Sequence, residues 1–207
     1  QPLSENSRVI TPPPVFEDPT TYSFRDEFSQ TAGNLSGKTA DNGGTWAGSG
    51  DADQFVVETT GHTLQRTTTS DATNTGRWAD LGSTNYTNVS LQVDMKINSV
   101  PTTGLLLMGL TARSQGFMAL LSINAGIQTL RIYRPSSFVL VQAVSIPVAK
   151  TVAANTYYTL RAEVLANGRY YVWFWQTSTN VPGDPLMKGY HSVYQTGGSQ
   201  ATGTPGL

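Results

Sequence analysis

Residues 88–97 read NVSLQVDMKI, and this stretch decides the fold class. Val89, Leu91, Val93, Met95 and Ile97 fall on one side of an extended chain, and Ser90, Gln92, Asp94 and Lys96 on the other. Side chains alternate across a strand with a period of two, so the segment reads as a strand with one buried face and one wet or functional face. The same grammar repeats downstream. Residues 105–113, 117–123, 129–134, 138–146, 157–165 and 169–176 are short runs of Val, Ile, Leu, Thr and aromatics, broken by Gly104, Gly116, Gly126, Pro135, Pro147 and Asn167-Gly168. Upstream, 54–58 and 63–67 flank the turn Thr59-Thr60-Gly61-His62, and 76–81 is a further short candidate. Roughly ten strands of ordinary length exceed what one twisted sheet holds comfortably, which predicts an all-β, antiparallel sandwich of two sheets. The best helical candidate, 148–155, is too short to change the class.

Around this core the composition excludes several classes. The 13 Lys and Arg nearly cancel the 14 Asp and Glu, so no basic field exists to hold a nucleic-acid backbone. Cysteine is absent, which removes disulfide scaffolds, thiolate metal sites and thiol nucleophiles together. The longest apolar run, near Leu105 to Leu110, falls far below the ~20 residues of a membrane-spanning helix, so no membrane span is expected. The 207 residues suit one sandwich domain with an appended arm. Residues 1–21 carry Pro2, Pro12, Pro13, Pro14 and Pro19 without apolar periodicity and read as an extended arm. Residues 22–195 read as the sandwich, opening with the alternation Tyr22, Phe24, Asp26, Phe28, and 196–207 as a flexible tail. The start at Gln1, with no leader following, reads as a processed N-terminus.

The candidate chemistry is sparse. Glycosidases built on such sheets need two carboxylates on one face, one as acid and one as nucleophile. Asp94 stands alone between Gln92 and Lys96, and Glu163 is flanked by Arg161 and Leu165, so no strand carries the pair and no hydrolase is favoured. His62 and His191 lie far apart without a metal-binding spacing, no Gly-x-Ser-x-Gly elbow occurs, and the glycine-rich stretches lack the Lys and helix of a phosphate loop. Asp41, Asn42, Asp51 and Asp53 cluster in a loop region. Such oxygen-rich loops hold calcium, but Asp-Asn-Gly-Gly also forms ordinary turns unaided, and both readings stand. The sequons at Asn34, Asn85 and Asn88 are expected by chance in a chain so rich in Asn, Ser and Thr.

Aromatics carry the most information. Tyr170, Tyr171, Trp173, Phe174 and Trp175 put rings on both faces of one strand, and one core cannot take large rings from both. Some of them are expected to meet a partner, a loop or the segment 181–194. If Asn167-Gly168 sits in a two- or four-residue hairpin loop, Arg161 and Glu163 share a face with Tyr170, Val172 and Phe174; a three-residue loop reverses this. Asp94, Arg113, Arg131, Tyr133 and Arg161, with Tyr170, are the candidate ligand-binding set on one polar sheet face.

The runs GLTARSQGFMALLSIN (109–124), IQTLRIYRPSSFVLVQAVSIP (127–147) and NTYYTLRAEVLANGRYYVWF (155–174), with YSFRDEF (22–28), GGTW (43–46) and QFVVE (54–58) upstream, resemble concanavalin A-like lectin and laminin G-like jelly-roll domains. The likeness is nearest to versions in bacteriophage minor tail and adhesion proteins and in carbohydrate-binding modules of secreted enzymes. It spans about 22–186 and implies a concanavalin A-like jelly roll whose concave sheet or rim holds a glycan or a protein, often beside a structural calcium ion, for which Asp41, Asp51 and Asp53 are the candidates. The function it implies is a non-catalytic recognition and adhesion domain of a virion appendage. Host-surface glycan or neighbouring virion proteins would be its partners, in a homo-oligomer or larger assembly at the virion surface or outside the cell. The rival readings are a module or catalytic domain of a secreted glycan-active enzyme, and a purely structural decoration domain. Such domains close with a terminal strand beside the opening one, and QTGGSQATGTPGL (195–207) has no alternation to serve, so a closing strand is expected from elsewhere.

Overall fold

The computed structural model describes residues 25–42, 44–48, 55–58, 63–66, 79–113, 116–134, 139–199, 202 and 207. The alternating segment 88–97 forms strand β6 (Val89–Lys96), which follows five short strands: β1 (Gly33–Asn34), β2 (Trp46–Gly48), β3 (Phe55–Glu58), β4 (Thr63–Arg66) and β5 (Ala79–Leu81). After it come β7 (Leu105–Arg113), β8 (Phe117–Asn124), β9 (Ile127–Arg134), β10 (Val139–Ser145), β11 (Tyr157–Val164), β12 (Asn167–Gln176) and β13 (Met187–Gln195).

Two four-stranded antiparallel sheets, ordered β10-β9-β8-β7 and β13-β12-β11-β6, pack face to face as a jelly-roll-like sandwich. The chain leaves β6, runs through the four strands of the first sheet, and returns at β11 to pair with β6 from Val89↔Val164 to Tyr157↔Lys96. Between the sheets lies one apolar cluster. Leu91 and Met95 of β6, Phe117, Leu121 and Ile123 of β8, Leu130 and Ile132 of β9, Leu160 and Ala162 of β11, and Val172 and Phe174 of β12 all point into it. Truncating a wholly enclosed residue such as Leu160 removes transfer energy and leaves a cavity, together about 2–5 kcal/mol. Rings knit the layers. Phe117, Tyr170 and Tyr194 meet at 5.4–6.0 Å, and Tyr158 stacks on Phe174 at 5.5 Å. A second, smaller cluster gathers Leu35, Ala40, Trp46, Val57, Ala79 and Leu81 among the short strands, with Phe28 and Leu207 packed against it. Leu207, expected in a flexible tail, exchanges two backbone hydrogen bonds with Ala79, at 2.9 and 3.0 Å.

Several expectations change. The segment 148–155 contains only a 3-10 helix at Val148–Lys150. Residues 187–195, within the expected sandwich 22–195, form β13 and extend the sheet beside β12, so they do not serve as a tail laid over the outer rings. Of the expected opening strand, Tyr22 to Phe24 lie outside the described residues, and Arg25 makes an isolated bridge to Asn42. The hairpin after β11 has the three-residue loop Ala166-Asn167-Gly168. Thr159↔Trp175 and Glu163↔Tyr171 pair, Leu165 N–H donates to Arg169 O, and Gly168 N–H donates to Leu165 O. Gly168 sits at φ +82°, the left-handed position that closes this loop type. One residue of loop length therefore reverses the expected faces. Tyr170, Val172 and Phe174 enter the core, while Tyr171, Trp173 and Trp175 join Arg161 and Glu163 on the outer face.

Candidate functional site

The outer face of the β13-β12-β11-β6 sheet is ordered in rows by its register. Ser90, Glu163, Tyr171 and Lys188 form one row, Gln92, Arg161 and Trp173 the next, and Asp94, Thr159 and Trp175 the third. Along β6 these polar side chains are exposed. Further in they are covered: Trp173 is 1% exposed, Trp175 5%, and Arg161 and Glu163 are buried. The Arg161 guanidinium lies 6.0 Å from the Trp173 ring centre. Burial pushes the Glu163 carboxyl above its usual range, against the opposing pull of Arg161 and a hydrogen bond from Ser90. Thr159 Oγ1 donates to Asp94 Oδ1 at 2.7 Å and lies 3.0 Å from Thr177 Oγ1, which ties the third row to the turn after β12.

At that end the face runs into a cleft of about 360 Å³. Its walls come from three successive parts of the chain: the 3-10 helix and the loop after it, the ends of β11 and β12, and the turn 176–182. Each wall is held. Gln128, at the start of β9, uses its side-chain amide as a surrogate ladder partner for Val152, receiving the Val152 N–H at 2.7 Å and donating to the Val152 carbonyl at 3.1 Å. The Tyr158 hydroxyl accepts from Ala153 N–H and donates to Thr151 O. Asn155 N–H donates to Ile97 O, which pins the loop to the end of β6. On the opposite wall Gln176 O accepts from both the N–H and the hydroxyl of Thr179, closing the turn. Trp175 and Tyr158 form the inner wall, and Lys150, Gln176, Thr179 and Asn180 supply polar groups around it. One cation, two amides and hydroxyls can hydrogen-bond a small polar ligand, while Trp175 and Tyr158, each 5% exposed, present little ring surface to it; among the described lining residues there is no nucleophile–base pair.

The structure divides the candidate ligand-binding residues. Asp94 and Arg161 share the outer face just described, two residues apart in register, because Asp94 pairs with Thr159. Arg131 and Tyr133 lie on the outer face of the other sheet, where Arg131 is laid along β9 by hydrogen bonds to Thr129 Oγ1 and the Tyr133 hydroxyl, both 3.0 Å. Arg113 ends β7, and its side chain lies outside the described residues. The single polar face expected for this set is thus two faces on opposite sides of the molecule. Tyr170 is a correction: it is 3% exposed in the core, and its hydroxyl crosses the sandwich to donate to Gln142 Oε1 at 2.7 Å. The residues sequence reasoning missed are Lys150, Gln176 and Asn180. Trp175 stands out in sequence as one of the clustered aromatics, and a three-residue loop closed at Gly168 places it on the face of Arg161, opposite Thr159.

For calcium, Asp41 is already engaged. Its Oδ2 accepts from Glu27 N–H and its Oδ1 from Ser29 Oγ, which ties Asp41 to a segment more than ten residues earlier in the chain. Asp51 and Asp53 lie outside the described residues, among which no three His, Cys, Asp or Glu side chains gather as a metal site. Likewise, no helix of the described residues is long and apolar enough to cross a membrane. Comparison with protein-family models, with curated proteins and with solved structures finds no match for this chain.

Proposed function

We propose that this chain is a non-catalytic recognition domain that binds a saccharide in the cleft between loop 148–156 and turn 176–182. The observation that carries the reading is the cleft itself: amide, hydroxyl and ammonium groups gathered over the largely buried Trp175 and Tyr158, on walls fixed by hydrogen bonds. That combination suits a ligand rich in hydroxyls. The absence of catalysis is supported by register. On the outer face Asp94 and Glu163 lie on neighbouring strands four positions apart, about 13 Å along the strand direction. Glycosidase carboxylates work at about 5–5.5 Å or 6.5–9.5 Å. The setting we infer is an adhesion appendage of a virion or another exposed assembly, in keeping with the sparse charge and the proline-rich sequence of residues 1–21. A glycan array read with and without calcium tests the proposal. Saturable binding that is lost in Trp175→Ala supports it; release of reducing ends from any bound glycan shows an enzyme instead.

A second reading, docking between copies within an assembly, is favoured by the other sheet. Leu105, Ile127 and Leu140 stand out from its outer face at 52, 68 and 47% exposure. Strand β10, an edge among the described strands, reads VLVQAVS, without a charge to deter strand addition. Sedimentation analysis separates the two readings. An oligomer dispersed by Ile127→Lys with Leu140→Lys, in a protein that binds no sugar, favours docking.

A further inference from the structure

We infer that the cleft takes an anionic saccharide, a sugar bearing a carboxylate, with Lys150 as its counter-charge; this rests on the reading of the cleft as a saccharide site. Among the described residues that line the cleft, Lys150 is the one charged residue, and no Asp or Glu stands with it. Asp184, two residues beyond Pro182 of the wall, is not among them. The Lys150 ammonium makes no ion pair and no side-chain hydrogen bond among the described residues, where Arg25–Glu27 is the ion pair present. The residue is half-buried, so its apolar stem can lie along the wall while the ammonium stays at the rim.

A lysine placed to hold structure would be expected to carry a partner. Here the backbone fixes Lys150 at the end of a 3-10 helix, where its N–H donates to Pro147 O at 2.8 Å, while the ammonium is left free. The surrounding groups are neutral. Gln176 and Asn180 offer amides, and Thr151 and Thr179 hydroxyls, which serve sugar hydroxyls without discriminating charge. Net charge elsewhere cannot substitute for Lys150: the whole chain carries −1, so no long-range field draws an anion in. Charge selection in this cleft therefore falls to one side chain, and a charge-assisted hydrogen bond from it to a carboxylate is the interaction available.

Titration calorimetry tests this with matched pairs of uronate and sialylated oligosaccharides and their methyl esters, at about 20 and 200 mM NaCl. The expected result is that a free acid binds roughly tenfold or more tightly than its ester, weakening with salt as a single exposed-rim charge contact does. Lys150→Gln should bring acid and ester to the same affinity, and Lys150→Arg should retain most of the preference. Thermal unfolding of both variants confirms that they are folded. Equal binding of acid and ester, or a preference that survives Lys150→Gln, overturns the inference and leaves the saccharide reading in place. Binding of neither form overturns both.

Discussion

Asp80 shows how much one carboxyl can weigh in a chain with so few charges. Its neighbours Ala79 and Leu81 turn into the smaller apolar cluster, so Asp80 faces the other way, and its Oδ1 is buried without a hydrogen-bond partner. Burial pushes its pKa up to about 6. The folded protein therefore keeps a proton that the unfolded chain, with a value near 3.8, has already released. The stabilisation from that proton is full below about 3.8 and is lost as pH rises through about 6. Asp80→Asn should raise stability at pH 7.5 by roughly 1 kcal/mol, allowing for solvent screening of the carboxyl's open side, and change little at pH 4. Denaturant titrations at the two pH values check this; an equal gain at both would show that charge is not the cause. Gly189 is a second such position. A Cβ there would lie 2.3 Å from the Tyr170 hydroxyl and 3.1 Å from Gln142 Oε1, in the space the cross-sandwich hydrogen bond occupies. Gly189→Ala should destabilise by about 1–3 kcal/mol. Tyr170→Phe, by deleting the hydroxyl, should relieve part of that clash, so the double variant should unfold at higher denaturant than additivity gives.

At the scale of elements, the hairpin β11–β12 and the loop 148–156 together make the site. The hairpin decides which rings face outward, and its loop depends on Gly168, where a Cβ would meet His191 O at 2.8 Å and the Tyr190 ring at 2.9 Å as well as the left-handed backbone penalty. The loop depends on Gln128. Its amide holds both polar groups of Val152, so the loop is anchored across the open end of the sandwich by a side chain from the opposite sheet. Gln128→Ala should leave the two sheets intact while raising the hydrogen-exchange rate of the Val152 amide by one to two orders of magnitude, as two hydrogen bonds worth about 1 kcal/mol each are lost. Ligand affinity should fall with it, because Lys150 and Thr151 line the cleft from this loop. Unchanged exchange at Val152 would mean that Tyr158 alone holds the loop, through Ala153 and Thr151.

For the whole molecule, topology sets the folding behaviour. The hairpins β7–β8, β8–β9 and β9–β10 are local, whereas β6 waits for β11, with Val89 pairing to Val164 across the entire first sheet. Closing that long connection before its contacts form should make refolding of the sandwich a millisecond-to-second process, and stopped-flow fluorescence of the tryptophans measures it. Microsecond refolding would contradict the topology. The same distinction between local and distant separates what the amino-acid order determined from what it did not. Alternation at 88–97 and, from Leu160 to Val164, within 157–165 was legible because side-chain parity along a strand is a property of the backbone itself. Strand positions and the two-sheet class followed. Strand β13 was not legible: Met187 and Tyr194, seven residues apart, both enter the core, which strict alternation forbids and a register irregularity against β12 permits. The site was not legible either. Lys150, Trp175 and Asn180 belong to a short helix, a strand and a turn, and only docking of the loop through Gln128 and Tyr158 brings them to one cleft. The choice of Trp175 over Tyr170 as an outward ring turned on one residue of loop length. A strand's period is decided locally by backbone sterics, but which of its faces meets the core is decided by pairing and burial across the whole fold.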